Sequence, residues 1–501
     1  MTSKEYYYGM LPASERDLYH YLPTVNDLLD FAKARYADDP AVDGADGQMT
    51  YAALLDRVAA YRGYLQSMQV KPKDKVAIQI PNDALAVAMI LAAPSYGAVI
   101  VPFPMTMRGE ELANNLKKMD VTLFIYADML APVVDAITLP EGLTAVKESD
   151  VTLGTPIPCA AVTKDLPAAI FFTGGTTGKS KGAMLSHGAL MRGAFNGIFG
   201  PGASQHQRYL ALIPFSHVFG VVRNLLSCLY TGSLLYTCAD MRAVVRILPE
   251  AKPTLLVLVP ALADMLLGLA TLRGPEALGG QLKVIIAGGA PVPENIIFRA
   301  DKMGIVCCPG YGMTETANLV SGNGNPLEKP TSVGLPYPEQ EVKIVDGEIW
   351  VKGDHLMIGY YNDPEETAAI FEDGWIKTGD LGHLDADGFL YITGRNKNII
   401  VLQNGENVSP EELELALVRI PFIKDALVRE AKLDNGAEIL EAEVLPNMPV
   451  FQKLGIQDVE GTVRAKIDEL NATLPGFMRL SRIVLRTEDF PRSASMKILR
   501  K

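Results

Sequence analysis

The sequence predicts an α/β protein with a large N-terminal domain of stacked sheets and helices and a small α+β domain at its C-terminal end. Three observations carry that expectation. Short apolar runs alternate with helix-like stretches until about residue 390. The pattern then changes to alternating half-exposed strands and glycine-rich turns. A chain of 501 residues is also too long for one ordinary domain.

Val76–Ile80, Val99–Val101, Leu123–Tyr126, Ala169–Phe172, Leu255–Val259 and Val284–Ala287 read as buried strands. Tyr51–Gln69, Glu110–Met119 and Pro260–Leu272 read as the helices between them. After Asp346, Glu348–Lys352 alternates like a strand with one wet face, and a helix starts at Pro410 with Glu411 and Glu412 in its first turn. The expected division is 1–393 for the large domain, 394–397 for a short hinge and 398–501 for a small mobile domain.

Composition narrows the function classes. The chain is 48% hydrophobic and 21% charged, enough to bury a sizeable core without disulfides or a structural metal. Its net charge of -12 argues against a nucleic-acid partner, although a local phosphate cradle of backbone N–H groups remains available. The five cysteines, Cys159, Cys228, Cys238, Cys307 and Cys308, show no CxxC spacing, which points to a reducing, cytoplasmic compartment. The N-terminal segment lacks the apolar core of a secretory signal. Ala84–Phe103 approaches the length of a membrane span, but Pro94, Ser95, Tyr96 and Gly97 interrupt it. A buried helix, a turn and a buried strand is the expected reading, with no stable membrane insertion.

Five segments carry chemistry. Ala168–Gly182 (AAIFFTGGTTGKSKG) runs an apolar strand into a loop of glycines, threonines and lysines, with a helix pattern from Ser186. Such a loop lets successive N–H groups surround a phosphate. It is not a Walker A motif, because Thr173 stands where that pattern needs glycine. Pro309–Thr316 (PGYGMTET) offers a flat ring at Tyr311, a hydroxyl at Thr314 and a hard carboxylate ligand for Mg²⁺ at Glu315. Trp375–Asp387 places Asp380 after Gly379 at a turn, where a carboxylate can accept from two ribose hydroxyls or from its own backbone. Gly394–Glu414 holds Arg395 and the tight-turn pair Asn404–Gly405. The tail Pro491–Lys501 holds Lys497, a residue that taken alone reads as a solvated charge.

In this order the five segments resemble the AMP-forming adenylating enzymes, the superfamily of acyl-CoA synthetases, peptide-synthetase adenylation domains and beetle luciferases. The resemblance implies a large domain of stacked sheets plus a distorted barrel, and an active site between it and the small domain. ATP, Mg²⁺ and coenzyme A are the implied cofactors and co-substrate. Thr173, Gly174, Gly175, Thr176, Thr177, Gly178 and Lys181 would form the phosphate loop. Gly289, Ala290 and Pro291 would line adenine. Tyr311 would stack on the ring, with Gly312 beside it. Thr314 would touch phosphate, and Glu315 would hold Mg²⁺. Asp380 and Arg395 would bind ribose. Lys397 matches the hinge position, Gly405 the loop that approaches the thiol, and Lys497 the lysine spanning the substrate carboxylate and the α-phosphate. Two departures stand out: Ser180 replaces the usual proline of the loop, and Met496 the usual glycine before the tail lysine.

Pro214–Gly220 (PFSHVFG) resembles the segment that shapes the acyl pocket, with His217 at its mouth. No Asp accompanies it to hold an amine, so amino-acid activation is not expected. Apolar Val218, Phe219, Val222, Leu225 and Leu226 favour a fatty acid of medium or longer chain, with an aryl acid as the alternative. Arg223, if it faces the pocket, would suit a dicarboxylate or other anionic acid. Coenzyme A is the expected acceptor, with a free-standing acyl carrier protein as the alternative. The expected assembly is a monomer or homodimer. A luciferase-like oxygenase and a silent nucleotide-binding relative share these motifs and would be told apart by oxygen uptake and pyrophosphate exchange.

Overall fold

The computed structural model describes residues 2–173, 180–200, 205–402, 406–433, 438–492 and 498–500. The segments alternate as α/β units do, and most of the expected elements appear within a residue or two of their expected ends.

Three sheets make up the large part. The first runs in spatial order Gly359–Tyr360, Lys181–Ser186, Pro167–Thr173, Val99–Pro102, Lys75–Gln79, Val121–Tyr126 and Thr144–Lys147. Its five strands from Pro167–Thr173 onward are parallel, and the first two are antiparallel additions. The second sheet has nine strands, with parallel Arg208–Ala211, Leu255–Leu258, Val284–Ala287 and Val306–Tyr311 at its centre. Where a distorted barrel was expected, a five-stranded antiparallel sheet is built on Glu341–Val345, Glu348–Lys352, Trp375–Leu384 and Leu390–Arg395.

Period-2 geometry gives the second sheet its two cores. Tyr209, Val257, Ile286 and Cys308 face the main core shared with the first sheet. Leu210, Leu256, Ile285 and Cys307 face the helices Val244–Ala251, Pro260–Arg273 and Glu294–Asp301. The adjacent cysteines therefore point to opposite faces, and burial pushes the Cys307 thiol up to about 12. That is the packing role expected of small apolar residues.

The last hundred residues have their own core. Ile400, Val408, Leu413, Val428, Ala442, Val444, Val463 and Ile467 pack together, on a three-stranded sheet (Ile423–Lys432, Glu438–Pro446, Leu480–Leu485) and its helices.

One expectation is corrected. The helix Ala84–Tyr96 runs through Pro94 instead of stopping before it. Pro94 lies in the last turn, and Gly97 at φ +87° then ends the helix in the left-handed conformation. The helix expected from Ser186 is His187–Asn196, capped by Ser186, and before it Lys181–Ser186 returns as a strand against Pro167–Thr173 that the sequence reading did not include. Alternation at Ala183 and Leu185 was the overlooked signal. Among the described residues, no helix is long and apolar enough to cross a membrane.

Two histidines are buried without charge. Burial lowers His187 to about 4, and lowers His355, with help from nearby Arg192, to about 3. Both take up protons on unfolding below their ordinary value of 6.5. Their contribution is therefore full above that pH and declines as pH falls toward the folded values. Melting temperature is expected to drop between pH 6.5 and 4.5, and the drop should be shallower in a His187→Gln/His355→Met variant; equal slopes in melts of the two proteins would reject this assignment.

Candidate active site

The expected nucleotide residues collect where strand ends of the second sheet meet the antiparallel sheet and the hairpin of the first. Val284–Ala287 and Val306–Tyr311 are parallel neighbours, so the loops that leave them lie side by side. One loop carries Gly289, Ala290 and Pro291; the other carries Gly312, Thr314 and Glu315. A Cβ on Gly288 would lie 3.5 Å from the Gly310 carbonyl and 3.4 Å from the Phe219 ring. Gly289, at φ +81°, then turns the chain outward.

Gly312 has a stricter reason to be glycine. A Cβ there would sit 1.6 Å from the Asn318 carbonyl oxygen, a backbone atom that has nowhere to go. The contact exists because the chain doubles back through the short turn Thr314–Thr316, after which Ala317 and Asn318 take positive φ.

Asp380 is the electrostatic centre. It comes from Trp375–Leu384 and is only 2% exposed. The Tyr311 hydroxyl donates to its Oδ2 at 2.7 Å, and the Arg395 Nε stands 2.7 Å from its Oδ1. Its backbone N–H donates to Thr378 Oγ1 at 3.1 Å. Burial, then the Asp380 charge, raises the Tyr311 phenol well above its ordinary range, so it stays a donor. The expectation that Asp380 and Arg395 meet the same ligand has this geometric basis: they already touch.

Glu315 is buried beside this group, and the Tyr360 hydroxyl donates to its Oε1 at 2.7 Å. Burial raises its carboxyl, with the Tyr360 bond acting the other way. A divalent cation would reverse that shift by favouring the ionised form. One carboxylate of hard oxygens suits a Mg²⁺ whose remaining ligands are phosphate and water.

The hairpin Pro167–Ser186 presents Thr173 directly opposite Lys181. The Lys181 ammonium lies 2.5 Å from Glu366 and 4.9 Å from the Tyr360 ring centroid. Tyr360 and Glu366 were not singled out from sequence. Nothing local marks them, since they sit beside a helix start (Pro364–Ile370) far along the chain from both partners. His217 is half-buried; its backbone N–H donates to the Pro214 carbonyl, and its Nδ1 accepts from the Phe219 N–H at 3.1 Å. Lys397 is exposed in the short turn Asn396–Asn398, just after the strand that carries Arg395. Gly174, Gly175, Thr176, Thr177, Gly178, Gly405 and Lys497 lie outside the described residues.

Comparison with known proteins follows the same division. The model of the AMP-binding enzyme matches residues 29–361, and that of the AMP-binding enzyme C-terminal domain matches residues 397–501. A feruloyl-CoA synthase of Amycolatopsis sp is 30% identical, covering 79% of this chain and 84% of that protein. A long-chain-fatty-acid–CoA ligase of Bacillus subtilis is 27% identical, covering 97% of this chain and 95% of that protein. Among solved structures, O-succinylbenzoate coenzyme A synthetase from Bacillus subtilis, in complex with ATP and magnesium ion, superposes with a TM-score of 0.80 at 25% identity, covering 94% and 98% of the two chains.

Two substitutions test the site. Gly312→Ala should abolish nucleotide binding and lower the melting temperature, because no side chain fits against Asn318. Asp380→Ala should weaken ATP binding roughly 10- to 100-fold, the scale of one or two charge-assisted hydrogen bonds. Calorimetric titration with ATP would show unchanged affinity if either assignment were wrong.

Proposed function

This chain belongs to the AMP-binding enzyme family, and we propose that it activates a carboxylic acid with a largely apolar body, as the acyl-adenylate, and passes it to coenzyme A. The observation that carries the reading is buried Asp380 held by Tyr311 and Arg395, with Glu315 and the Thr173–Lys181 hairpin around it.

Two anions, a carboxylate and the triphosphate, must approach each other. Catalysis is then mainly positioning and charge neutralisation. Asp380 would accept from ribose hydroxyls while Arg395 holds the carboxylate in place. Tyr311 would lie along the purine. Glu315 would hold Mg²⁺ against the phosphates, and the ion's charge favours pyrophosphate as the leaving group. Lys181 and the glycine loop would steady the departing phosphates. Lys497 would neutralise the charge at the α-phosphate as the acid attacks.

The acid has two candidate bodies. The apolar side chains Val218, Phe219, Val222, Leu225 and Leu226 and the fatty-acid ligase relative support a fatty acid of medium or longer chain. The feruloyl-CoA synthase relative supports an aryl acid. An acid panel assayed separately for pyrophosphate release and thioester formation, with and without coenzyme A, decides between them. Thioester made only with a carrier protein would overturn the choice of acceptor, and no pyrophosphate release from any acid would overturn the ligase reading.

The half-reactions separate two further residues. Lys497→Ala should slow adenylation by about 100-fold or more while ATP still binds, the effect of losing a preorganised charge at the transition state. Pyrophosphate exchange near the wild-type rate would reject that role. We place the hinge at 394–397, and Lys397→Pro, which restricts rotation there, should impair thioester formation far more than adenylation. Equal losses in the two steps would move the hinge elsewhere.

A further inference from the structure

Arg223 is the largest side chain among those fully buried, at 1% exposure. Its Nε and Nη1 have no hydrogen-bond partner, and among the described residues no carboxylate pairs with it. The guanidinium donates to the Tyr209 hydroxyl, and its charge also acts on the Tyr337 phenol and the Cys308 thiol; none of the three is an anion at neutral pH. Two amides on the same pair of packed helices, Asn196 and Asn224, are also fully buried with no partner for either nitrogen or oxygen. The Ser227 hydroxyl, donating to the Ala194 carbonyl at 3.0 Å, ties those helices together.

A buried guanidinium without a counter-ion is strongly unfavourable, and replacing such a charge with an apolar side chain commonly stabilises a protein. Packing therefore gives no reason to keep Arg223. Its position does. It lies on Gly220–Leu226, a π-type helix, a winding that is frequent at functional sites. Phe219, at the start of that helix, covers Gly288 beside the adenine-side loop. Val222 lies against the space beside Gly193, which also faces Ala317 just after the Glu315 turn. Arg223 follows His217 by six residues. The helix thus packs against both loops expected to meet the nucleotide, and it carries a cation with no carboxylate beside it.

We propose that Arg223 pairs with a second anionic group on the acid, so that the substrate class is an acid with an apolar body and a carboxylate at its far end: a dicarboxylic acid or a carboxy-substituted aryl acid. This rests on the ligase reading given above. The guanidinium is shut off from bulk water, so its counter-ion must arrive inside the protein, as part of the acid. A planar fork of donors matches a carboxylate in two-point contact. The buried amides supply further donors and acceptors on the same helices.

The test uses matched pairs on the full-length protein: adipate against hexanoate, suberate against octanoate, and 3-(carboxyphenyl)propanoate against 3-phenylpropanoate. Wild type should favour at least one dianion over its monoanionic partner by at least 10-fold in kcat/KM. Arg223→Met should invert that ratio, and Arg223→Lys should keep its sign at reduced size. Without acid, Arg223→Met should melt higher than wild type; with the preferred dianion alone, only wild type should gain melting temperature. A wild type that favours every monoanion, or a ratio unmoved by Arg223→Met, overturns the proposal. If no acid releases pyrophosphate, the ligase reading falls instead, and the dianion-dependent melting shift still decides the subsite by its presence or absence.

Discussion

Asp380 brings a negative charge to a place water scarcely reaches, and everything around the nucleotide site is arranged to keep that charge satisfied. One oxygen takes the Tyr311 hydroxyl and the other faces the Arg395 guanidinium. The three residues come from three strands: the parallel sheet supplies Tyr311, and two antiparallel neighbours supply Asp380 and Arg395. Asp380 is buried while the Arg395 side chain is 43% exposed, so removing the arginine would leave the carboxylate without its cation in a place of low water access. The contact therefore fixes how the two sheets meet. It also anchors the end of the strand Leu390–Arg395, of which Arg395 is the last residue.

The same economy of charge extends outward. Lys181 rests on Glu366, and Glu315 on the Tyr360 hydroxyl, so the groups expected at phosphate and metal each have a partner in the protein. Tyr360 serves both, giving its hydroxyl to Glu315 and its ring to Lys181. A nucleotide entering here exchanges contacts with residues already held in place, which is how preorganisation lowers the cost of charge development. Arg223 departs from this pattern, as a buried cation with no anion supplied by the protein. Buried Arg62 also lacks a carboxylate, but a carbonyl and a hydroxyl accept from it, whereas Nε and Nη1 of Arg223 have no acceptor.

The acyl wall and the nucleotide loops are one packed unit. Phe219 covers Gly288, and the room beside Gly193 is taken by Val222 and Ala317, so the helix proposed to meet the acid leans on the segments proposed to meet ATP. Close packing makes such contacts nearly incompressible.

The sequence alone determined the alternation of strands and helices, the helices at Tyr51, Gly109 and Pro260, and the identity of the Tyr311, Asp380 and Arg395 segments, because period, capping residues and motif spacing are local properties. It also marked Arg223 as the one charge in an apolar helix. Only the tertiary structure decided that the glycine loop closes a hairpin, that Tyr360 and Glu366 join the site, and that Arg223 is buried without a counter-ion. Pairing between strands, and contact between residues far apart in the chain, depend on which faces pack together. No local pattern encodes that choice.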